Sequence, residues 1–242
     1  MGRVEKRDPE VTGSRSPLSH PRYFPPAWQA DEEGILCVGG SLKSELLLDA
    51  YRHGIFPWPI DDSSPLFWWS PDPRAVIEFD EFHVSRRLTR TLRSGRFQVS
   101  LDRDFSGVIR SCSWEHSRSG GTWITRNMIA AYEKMHALGH CHSVEVWRDG
   151  ELVGGTYGIG IGAFFAAESM FHLVTDASKV GLVSLVKHLQ VRGYRLLDIQ
   201  QLTAHTQRFG AVEIPREQYL RRLAEAVEMP VTFGESLETG SN

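Results

Sequence analysis

The chain has 242 residues, and its 27 Lys and Arg residues stand against 30 Asp and Glu residues, which gives a formal net charge of −3. This balance excludes a protein that is basic throughout, such as a histone-like packager, but it leaves room for a local basic patch. The hydrophobic fraction of 41% and the charged fraction of 24% are typical of a globular chain with one large domain or two smaller ones.

The three cysteines, Cys37, Cys112 and Cys141, stand far apart in the sequence. No CxxC pair occurs, so neither a disulfide framework nor a cysteine zinc site is indicated, and a reducing compartment fits best. No apolar run approaches the roughly 20 residues that a membrane-spanning helix needs, and the polar start lacks the apolar stretch of a signal peptide. We therefore expect a cytoplasmic protein that has no membrane partner.

Composition divides the chain into four parts. Residues 1–21 are expected to form a disordered tail, and residues 233–242 a polar C-terminal tail. Residues 22–80, which are dense in Pro, Gly and Trp, are predicted to form a small N-terminal α/β domain. Residues 81–232 are predicted to form a larger domain.

Periodicity predicts the elements of these domains. In the N-terminal domain one helix is expected between the N-cap Ser41 and the terminating Gly54. In the larger domain, helices and strands follow one another in mixed order, which indicates an α+β fold with helices on the faces of a mixed sheet. Helices are expected at 125–138, 178–190 and 216–227, and strands at 143–147, 151–159, 163–167 and 196–199.

A basic stretch between His83 and Arg96 contains no acidic residue. On a helix, several of its arginines share one face while Leu88 and Leu92 lie on another. Guanidinium groups fit phosphate oxygens, so a nucleic-acid backbone is one candidate partner, and a solvated helix face is an equally good interpretation. The five arginines are Arg86, Arg87, Arg90, Arg93 and Arg96.

An aromatic set could stack on the bases of a nucleic acid. Because most buried tryptophans are simply packed in the core, the aromatic residues alone favour packing. The set consists of Trp58, Phe67, Trp68, Trp69 and Trp123.

Two polar points stand at the ends of apolar strands. Glu168 directly follows the strand 163–167, where a carboxylate is costly unless it meets a cation, a ligand or a group of donors. Asp198 and Gln200 are two residues apart and therefore lie on one face of their strand. Each of these polar groups could be a structural carboxylate–amide pair, but the presence of both is more typical of a functional site.

Other site motifs are absent or incomplete. There is no P-loop and no GxSxG motif. His136, His140 and His142 beside Cys141 resemble a metal cluster, but the HExxH glutamate is missing and two of the histidines fall beyond the end of the helix. Metal binding is therefore a minor alternative, and we expect neither a metal nor a cofactor.

Longer motifs follow one another along the chain: GIFPW at 54–58, FWWSPDPR at 67–74, GTWIT at 121–125, LGH at 138–140, HSVEVW at 142–147, LVGGTYG at 152–158, ESMF at 168–171, DIQ at 198–200 and HT at 205–206. In this order they resemble the bacterial leucyl/phenylalanyl-tRNA–protein transferase family. The resemblance covers residues 34–223.

The resemblance implies an aminoacyltransferase that moves Leu or Phe, with Met as a further candidate, from aminoacyl-tRNA to the N-terminal α-amine of proteins that begin with Arg or Lys. Such proteins then enter the N-degron degradation pathway. The resemblance also implies a GNAT-like (acetyltransferase-like) fold for the larger domain. It further implies aminoacyl-tRNA and protein substrates as partners, and we expect a monomer.

The resemblance assigns site residues as well. Gln200 would contact the attacking amine, Asp198 would orient Gln200, and Glu168 would lie by the peptide N-terminus. Trp58 and Trp123 would lie near the 3′ end of the tRNA, while the basic stretch would hold the acceptor-stem phosphates. The apolar pocket for the transferred amino acid would consist of Ala167, Met170, Leu182, Leu185, Leu189 and Leu197.

Two alternatives stay open at this point. The first is a GNAT-type N-acetyltransferase, although the usual coenzyme A loop is not visible before the helix at 178–190. The second is a tRNA-binding module without catalysis. Leu185 and Leu189 stand where the best-known family members carry aromatic residues, which leaves the ranking of Leu, Phe and Met as donors open.

Overall fold

The computed structural model describes residues 20–61, 63–118 and 121–237, apart from the side chain of Arg118. Its N-terminal part holds a small antiparallel sheet of three strands in which β3 lies between β1 and β2. The elements are a 3-10 turn (Ala27–Gln29), β1 (Ile35–Val38), α1 (Ser44–Arg52), β2 (Phe56–Pro57) and β3 (Phe67–Trp69).

The remaining elements build a seven-stranded mixed sheet with the strand order β10-β4-β9-β8-β7-β6-β5. They are β4 (Arg74–Ile77), α2 (Arg86–Arg93), β5 (Gln98–Leu101), α3 (Phe105–Arg118), α4 (Arg126–Ala137), β6 (Cys141–Arg148), β7 (Glu151–Ile161), β8 (Phe164–His172), α5 (Ala177–Arg192), β9 (Leu196–Gln200), α6 (Ala204–Gln207), β10 (Ala211–Ile214) and α7 (Arg216–Val227). Neighbouring strands are antiparallel except for β8 and β9, which are parallel. The prediction of an α+β fold with a mixed sheet is confirmed.

The large sheet separates two hydrophobic clusters. Successive residues of one strand, such as Phe164 and Phe165, belong to different clusters because strand side chains alternate between the two faces. Helices α1, α3, α4 and α7 contribute to one cluster, and α2 and α5 contribute to the other. These helices therefore bury apolar side chains on both sides of the sheet.

The predicted helices and strands of the larger domain are confirmed with small changes at their ends. Thr125 caps α4 by accepting a hydrogen bond from the N–H of Met128. The turn between β6 and β7 has positive φ angles at Asp149 and Gly150, as a two-residue hairpin of type I′ requires. In the part of the chain that the structure describes, no helix is long and apolar enough to cross a membrane.

Four sequence-based expectations need correction. Helix α1 follows Lys43 rather than Ser41, and β8 continues to His172, so that Glu168 lies within a strand and not in a loop. Strand β4 precedes residue 80 yet lies inside the large sheet, so the hydrogen bonding does not divide the chain at the predicted domain boundary. Phe233 is no part of a polar tail, because its ring is 3% exposed and packs against His142.

The predicted tails fall mostly outside the described residues, since 1–19 and 238–242 are not among them. Several elements were not predicted at all. These are the N-terminal strands, β4, β5, α3, α6 and β10.

Candidate active site

An open cavity of about 440 Å³ lies where the pairing of the parallel strands β8 and β9 ends. The last paired residues are Ala166 and Asp198, and the residues that follow them in both strands line the cavity. Further walls come from β2, α3, α5 and α6. Residues from β2 in the N-terminal part to α6 near the C-terminus therefore line one cavity, and the predicted residues Glu168 and Gln200 are among them.

Glu168 reaches the cavity through an irregularity in β8. Ser169 pairs with Tyr157 of β7 and Ala167 pairs with Gly158, so Glu168 is an extra residue without a partner in the ladder. Such a β-bulge re-aims the side chain of the extra residue, and bulges are frequent beside active sites. The strand prediction ended at Ala167 because sequence alternation carries no signal for this extra residue.

Two tyrosines from different helices hold the Glu168 carboxyl. Tyr51 of α1 donates to Oε1 at 2.8 Å, and Tyr132 of α4 donates to Oε2 at 3.4 Å. The two hydroxyl groups also lie 2.5 Å apart, and both tyrosines are buried. Burial raises the pKa of Glu168 to about 8, with the charge of Asp198 acting in the same direction and the Tyr51 hydrogen bond opposing it. Near neutral pH the protonated form of this carboxyl therefore predominates.

Gln200 has an unusual backbone conformation. Its φ angle is +57°, in the left-handed region that residues other than glycine rarely adopt. Ala75 of β4 pairs with Gln200 and Val76 pairs with Asp198, which leaves Ile199 as a second bulge residue. The N–H of Gln200 donates to Asp198 Oδ1 at 2.9 Å and so holds the strained residue in place. Backbone strain of this kind concentrates at functional sites.

The Gln200 amide faces both the protein backbone and Glu168. One terminal atom lies 3.0 Å from the carbonyl oxygen of Ala167 and 2.9 Å from that of Ile199, so it must be the NH2 group, which donates to both. The other terminal atom, the amide oxygen, then faces Glu168 Oε1 at 3.4 Å. A protonated Glu168 is a suitable donor for this oxygen, in agreement with its raised pKa.

Asp198 lies behind Gln200 in a buried ion pair. Arg74 of β4 donates from Nε to Oδ1 at 2.9 Å and from Nη2 to Oδ2 at 2.6 Å, while Tyr219 of α7 donates to Oδ2 at 2.9 Å. Asp198 is 0% exposed and Arg74 is 1% exposed. Burial acts to lower the pKa of Arg74, but the facing charge of Asp198 outweighs it and keeps the pKa above its ordinary range. Asp198 therefore supports the site from behind the cavity wall.

The predicted amino-acid pocket is only partly exposed to the cavity. Ala167, Met170 and Leu182 line it together with Thr156. The other three predicted residues are fully buried in the hydrophobic cluster to which Leu182 belongs and are not among the residues that line the cavity. They are Leu185, Leu189 and Leu197.

The aromatic set divides in two. Trp58 and Trp123 line the cavity, with ring centroids 5.9 Å apart in an edge-to-face arrangement. Trp68 is 1% exposed, and its indole N–H donates to the carbonyl oxygen of Gly39 at 2.9 Å. For Trp68 the interpretation as a core residue is therefore confirmed, while Trp58 and Trp123 are accessible for stacking.

Most of the basic stretch forms α2, with Arg96 beyond its end, and all five of its arginines are exposed. Ser85 caps this helix, and Leu88 packs into the hydrophobic cluster of α5. Arg87 lies 3.9 Å from Asp176, which directly precedes α5, while Ser178 in the first turn of α5 lines the cavity. The arginine-bearing helix thus lies beside the element that leads into the cavity.

The histidines near Cys141 make other contacts. His142 Nδ1 lies 2.7 Å from Asp102 Oδ2, and His136 Nδ1 lies 2.8 Å from the carbonyl oxygen of Cys141. Within residues 20–61, 63–118 and 121–237, no group of three His, Cys, Asp or Glu side chains is arranged to hold a metal ion.

Sequence reasoning missed several residues of the site. Arg74 carried a signal, because an arginine followed by Ala-Val-Ile in a strand must find a partner when buried. In the sequence, Tyr51 and Tyr132 fit the apolar faces of their helices, and nothing in the local pattern indicates that both hydroxyl groups donate to Glu168. His116 and Ser169, whose side chains are hydrogen-bonded in the cavity wall, carried no sequence signal either.

The partly buried pair of Glu168 and Gln200 combines a carboxyl with a raised pKa, a strained backbone and an adjoining apolar cavity wall. This combination is typical of an enzyme active site. Comparison with known sequences then identifies the enzyme. The profile described as leucyl/phenylalanyl-tRNA protein transferase matches residues 76–224, and that of the family's N-terminal domain matches residues 40–72. The chain belongs to this family of aminoacyltransferases.

Individual relatives that are named leucyl/phenylalanyl-tRNA–protein transferase agree with this assignment. The one from Solidesulfovibrio magneticus is 53% identical over 206 residues, which cover 85% of this chain and 83% of the relative. The one from Syntrophotalea carbinolica is 48% identical, covering 87% of this chain and 91% of the relative. The one from Pseudomonas syringae is 47% identical, covering 86% and 91%.

Solved structures are more distant. A C-terminal domain of a lysylphosphatidylglycerol synthetase from Agrobacterium fabrum aligns with a TM-score of 0.37 and 13% identity, covering 72% of this chain and 64% of that chain. The L-PGS structure from Bacillus licheniformis aligns with a TM-score of 0.38 and 10% identity, covering 76% and 70%.

Proposed function

We propose that this protein transfers leucine or phenylalanine from aminoacyl-tRNA to the N-terminal α-amine of proteins that begin with Arg or Lys. The names of its relatives support the reaction class. The observation that carries the proposal is the cluster of Glu168, Gln200 and Asp198 beside an apolar wall, because it offers an amine site next to a place for an apolar side chain. We further propose that methionine is a candidate donor and that the products enter the N-degron pathway.

The donor is already an activated ester, so the protein has to position the amine and stabilise the tetrahedral intermediate. In our proposal the Gln200 oxygen accepts a hydrogen bond from the attacking amine, and Asp198 holds Gln200 through its backbone N–H. A neutral amide is a poor base, so its role is orientation.

Glu168 is suited to receive the incoming ammonium. Burial raises its pKa to about 8, and an α-ammonium group has a pKa of about 7.7–8.0. An incoming cation favours the ionised form of this carboxyl, and because the two pKa values nearly match, the ionised form can then accept the proton that the amine must lose before attack. Tyr51 and Tyr132 keep both carboxyl oxygens in place for this transfer.

The transferred side chain would enter the apolar part of the cavity beside Ala167, Met170 and Leu182. A side chain that is unbranched at Cβ can pass a narrow entrance, whereas Val and Ile would be crowded there. The buried residues Leu185 and Leu189 are expected to shape this part of the cavity through Leu182, which lies on the same helix. Leu197, on the neighbouring strand β9, would support it from below.

The tRNA would meet the protein at two places. Its terminal adenosine would stack on Trp58 and Trp123, and its acceptor-stem phosphates would contact the exposed arginines of α2 without reading sequence. The position of α2 supports this division, because α2 lies beside the start of α5, an element that lines the cavity. We propose that the protein works as a monomer in the cytoplasm, where its free cysteines Cys37, Cys112 and Cys141 suit a reducing environment.

One experiment separates this function from the two alternatives. Purified protein is incubated with radiolabelled Leu-, Phe- or Met-tRNA and with peptides that begin with Arg or with Met. Our proposal expects label on the Arg peptide from Leu- or Phe-tRNA, and a severe loss of transfer for Gln200→Ala and for Asp198→Ala.

The alternatives predict different results in the same assay. An N-acetyltransferase would label no peptide from tRNA but would gain thermal stability from acetyl-CoA. A binding module would retain salt-sensitive tRNA binding without any product. Label on neither peptide contradicts the proposal.

A further inference from the structure

Ser169 and His116 form a pair in the cavity wall that the roles above do not use. His116 Nε2 of α3 lies 3.0 Å from Ser169 Oγ of β8, and both residues line the cavity. The backbone of Ser169 is fixed, because its carbonyl oxygen accepts a hydrogen bond from Thr156 Oγ1 at 2.9 Å. The pair is therefore a defined feature of the wall.

The pair lies between the two ends of the cavity. Trp58 contacts Trp123 with centroids 5.9 Å apart, and Trp123 contacts His116 with centroids 6.1 Å apart. On the other side, Ser169 directly follows Glu168, the residue of the amine end. An ester whose adenosine stacks on the tryptophans and whose carbonyl meets the amine near Glu168 must place its leaving oxygen between these ends.

We propose that the Ser169 hydroxyl carries the proton to the leaving 3′-oxygen of the donor, and that His116 is the residue that positions this hydroxyl. This inference rests on the proposed aminoacyl transfer. After attack, the new C–N bond carries a positively charged nitrogen with two hydrogens. One of them passes to Ser169 Oγ while the Ser169 hydrogen passes to the 3′-oxygen, the C–O bond breaks, and an amide and a free 3′-hydroxyl result. Ser169 and His116 end the step unchanged.

The neighbours of Ser169 suit this role. Burial lowers the pKa of His116, against the opposing charge of Glu115, so the imidazole is neutral at neutral pH. The tautomer with its hydrogen on Nε2 donates to Ser169 Oγ, so His116 does not itself take up the hydroxyl hydrogen. Cys112, which the Ser169 side chain also contacts, is a neutral thiol, because burial raises its pKa to about 12. Neither His116 nor Cys112 therefore deprotonates the Ser169 hydroxyl.

The test uses two matched Leu-tRNA donors, one ending in 2′-deoxyadenosine and one in 2′-deoxy-2′-fluoroadenosine. Both lack the 2′-hydroxyl, and fluorine makes the 3′-oxygen a better leaving group that needs less help from a proton. Single-turnover transfer to an Arg-initiated peptide is measured for wild type and for Ser169→Ala. Ser117→Ala on α3 is the control, since Ser117 is exposed and its hydroxyl donates to the carbonyl oxygen of Ser113 in the same helix.

We expect Ser169→Ala to lose about 100-fold with the deoxy donor, a typical contribution of a positioned proton-transfer group, and at least several-fold less with the fluoro donor. Equal losses with both donors, or no loss, would overturn the inference, as would a wild type that uses ordinary Leu-tRNA but neither deoxy donor. A wild type that transfers from no donor contradicts the proposed function instead.

His116 is tested by a conservative pair of variants. His116→Gln keeps an N–H donor near the Nε2 position, whereas His116→Ala removes it. We expect His116→Ala to lower the single-turnover rate about 10-fold without changing the KM for tRNA, and His116→Gln to restore most of that rate. Equal rates for the two variants, with melting temperatures like that of wild type, would show that His116 does not position Ser169.

Discussion

The Glu168 carboxyl makes the stability of this protein depend on pH in a defined direction. Its pKa is raised to about 8 by burial, whereas a carboxyl in an unfolded chain titrates near 4.3. The folded state therefore keeps a proton that the unfolded state loses, so the free energy of unfolding falls as the pH rises through this window. The decline is about 1.4 kcal/mol per pH unit, or roughly 4 kcal/mol between about pH 5 and 8.

Glu168→Gln removes the contribution of this carboxyl to the pH dependence of the free energy of unfolding while keeping the shape of the side chain. Urea denaturation of wild type and variant across the same pH range isolates it, since all other ionisable groups are shared. We expect the variant to gain stability relative to wild type with each pH unit, and Glu217→Gln, an exposed control on α7, to show no such trend. Stability curves of wild type and Glu168→Gln that stay parallel from pH 5 to 8 would refute the reasoning, because they would place the pKa of Glu168 near its ordinary value.

Three further predictions concern the ion pair, the basic helix and the cavity. Arg74→Met leaves Asp198 buried without its cation and should cost about 3–5 kcal/mol of unfolding free energy, most of which Asp198→Asn restores in the double variant; a single variant as stable as wild type contradicts this. Arg90→Ala should weaken the binding of all tRNAs to a similar degree. In filter-binding assays the slope of log affinity against log salt concentration should fall by about one released counterion, whereas a loss confined to one tRNA sequence would argue against phosphate contact. Leu182→Ala enlarges the cavity and should raise the kcat/KM ratio of Phe-tRNA over Leu-tRNA about 10-fold, and an unchanged ratio would remove Leu182 from the pocket.

The larger domain was predictable where local periodicity reflects burial. Helices α4, α5 and α7 and the hairpin of β6 and β7 follow from apolar spacing, a capping threonine and a turn with Asp149-Gly150. The N-terminal strands and α3 were not predicted. The strands are short, and their burial depends on partners that are distant in sequence. Helix α3 does carry apolar residues at helical spacing, so local periodicity could have indicated it; they are Phe105, Val108, Ile109 and Cys112.

The candidate site was predictable only in part for the same reason. Glu168 and Gln200 stood out as polar residues beside apolar strands, but their orientation depends on two bulges that exist only in relation to the neighbouring strands. Arg74 and Asp198 are separated by 124 residues, so no local pattern joins them. The tyrosines that hold Glu168 likewise come from helices that meet only in the folded chain.

Tandem mass spectrometry of the acceptor peptide tests the central claim most directly. A peptide that begins with Arg is incubated with Leu-tRNA and either wild type or Gln200→Ala, and its N-terminal sequence is read from the fragments. The proposed function predicts one leucyl residue on the α-amine of the Arg peptide with wild type and almost none with Gln200→Ala. An unmodified peptide with wild type, or equal product with both proteins, would contradict it.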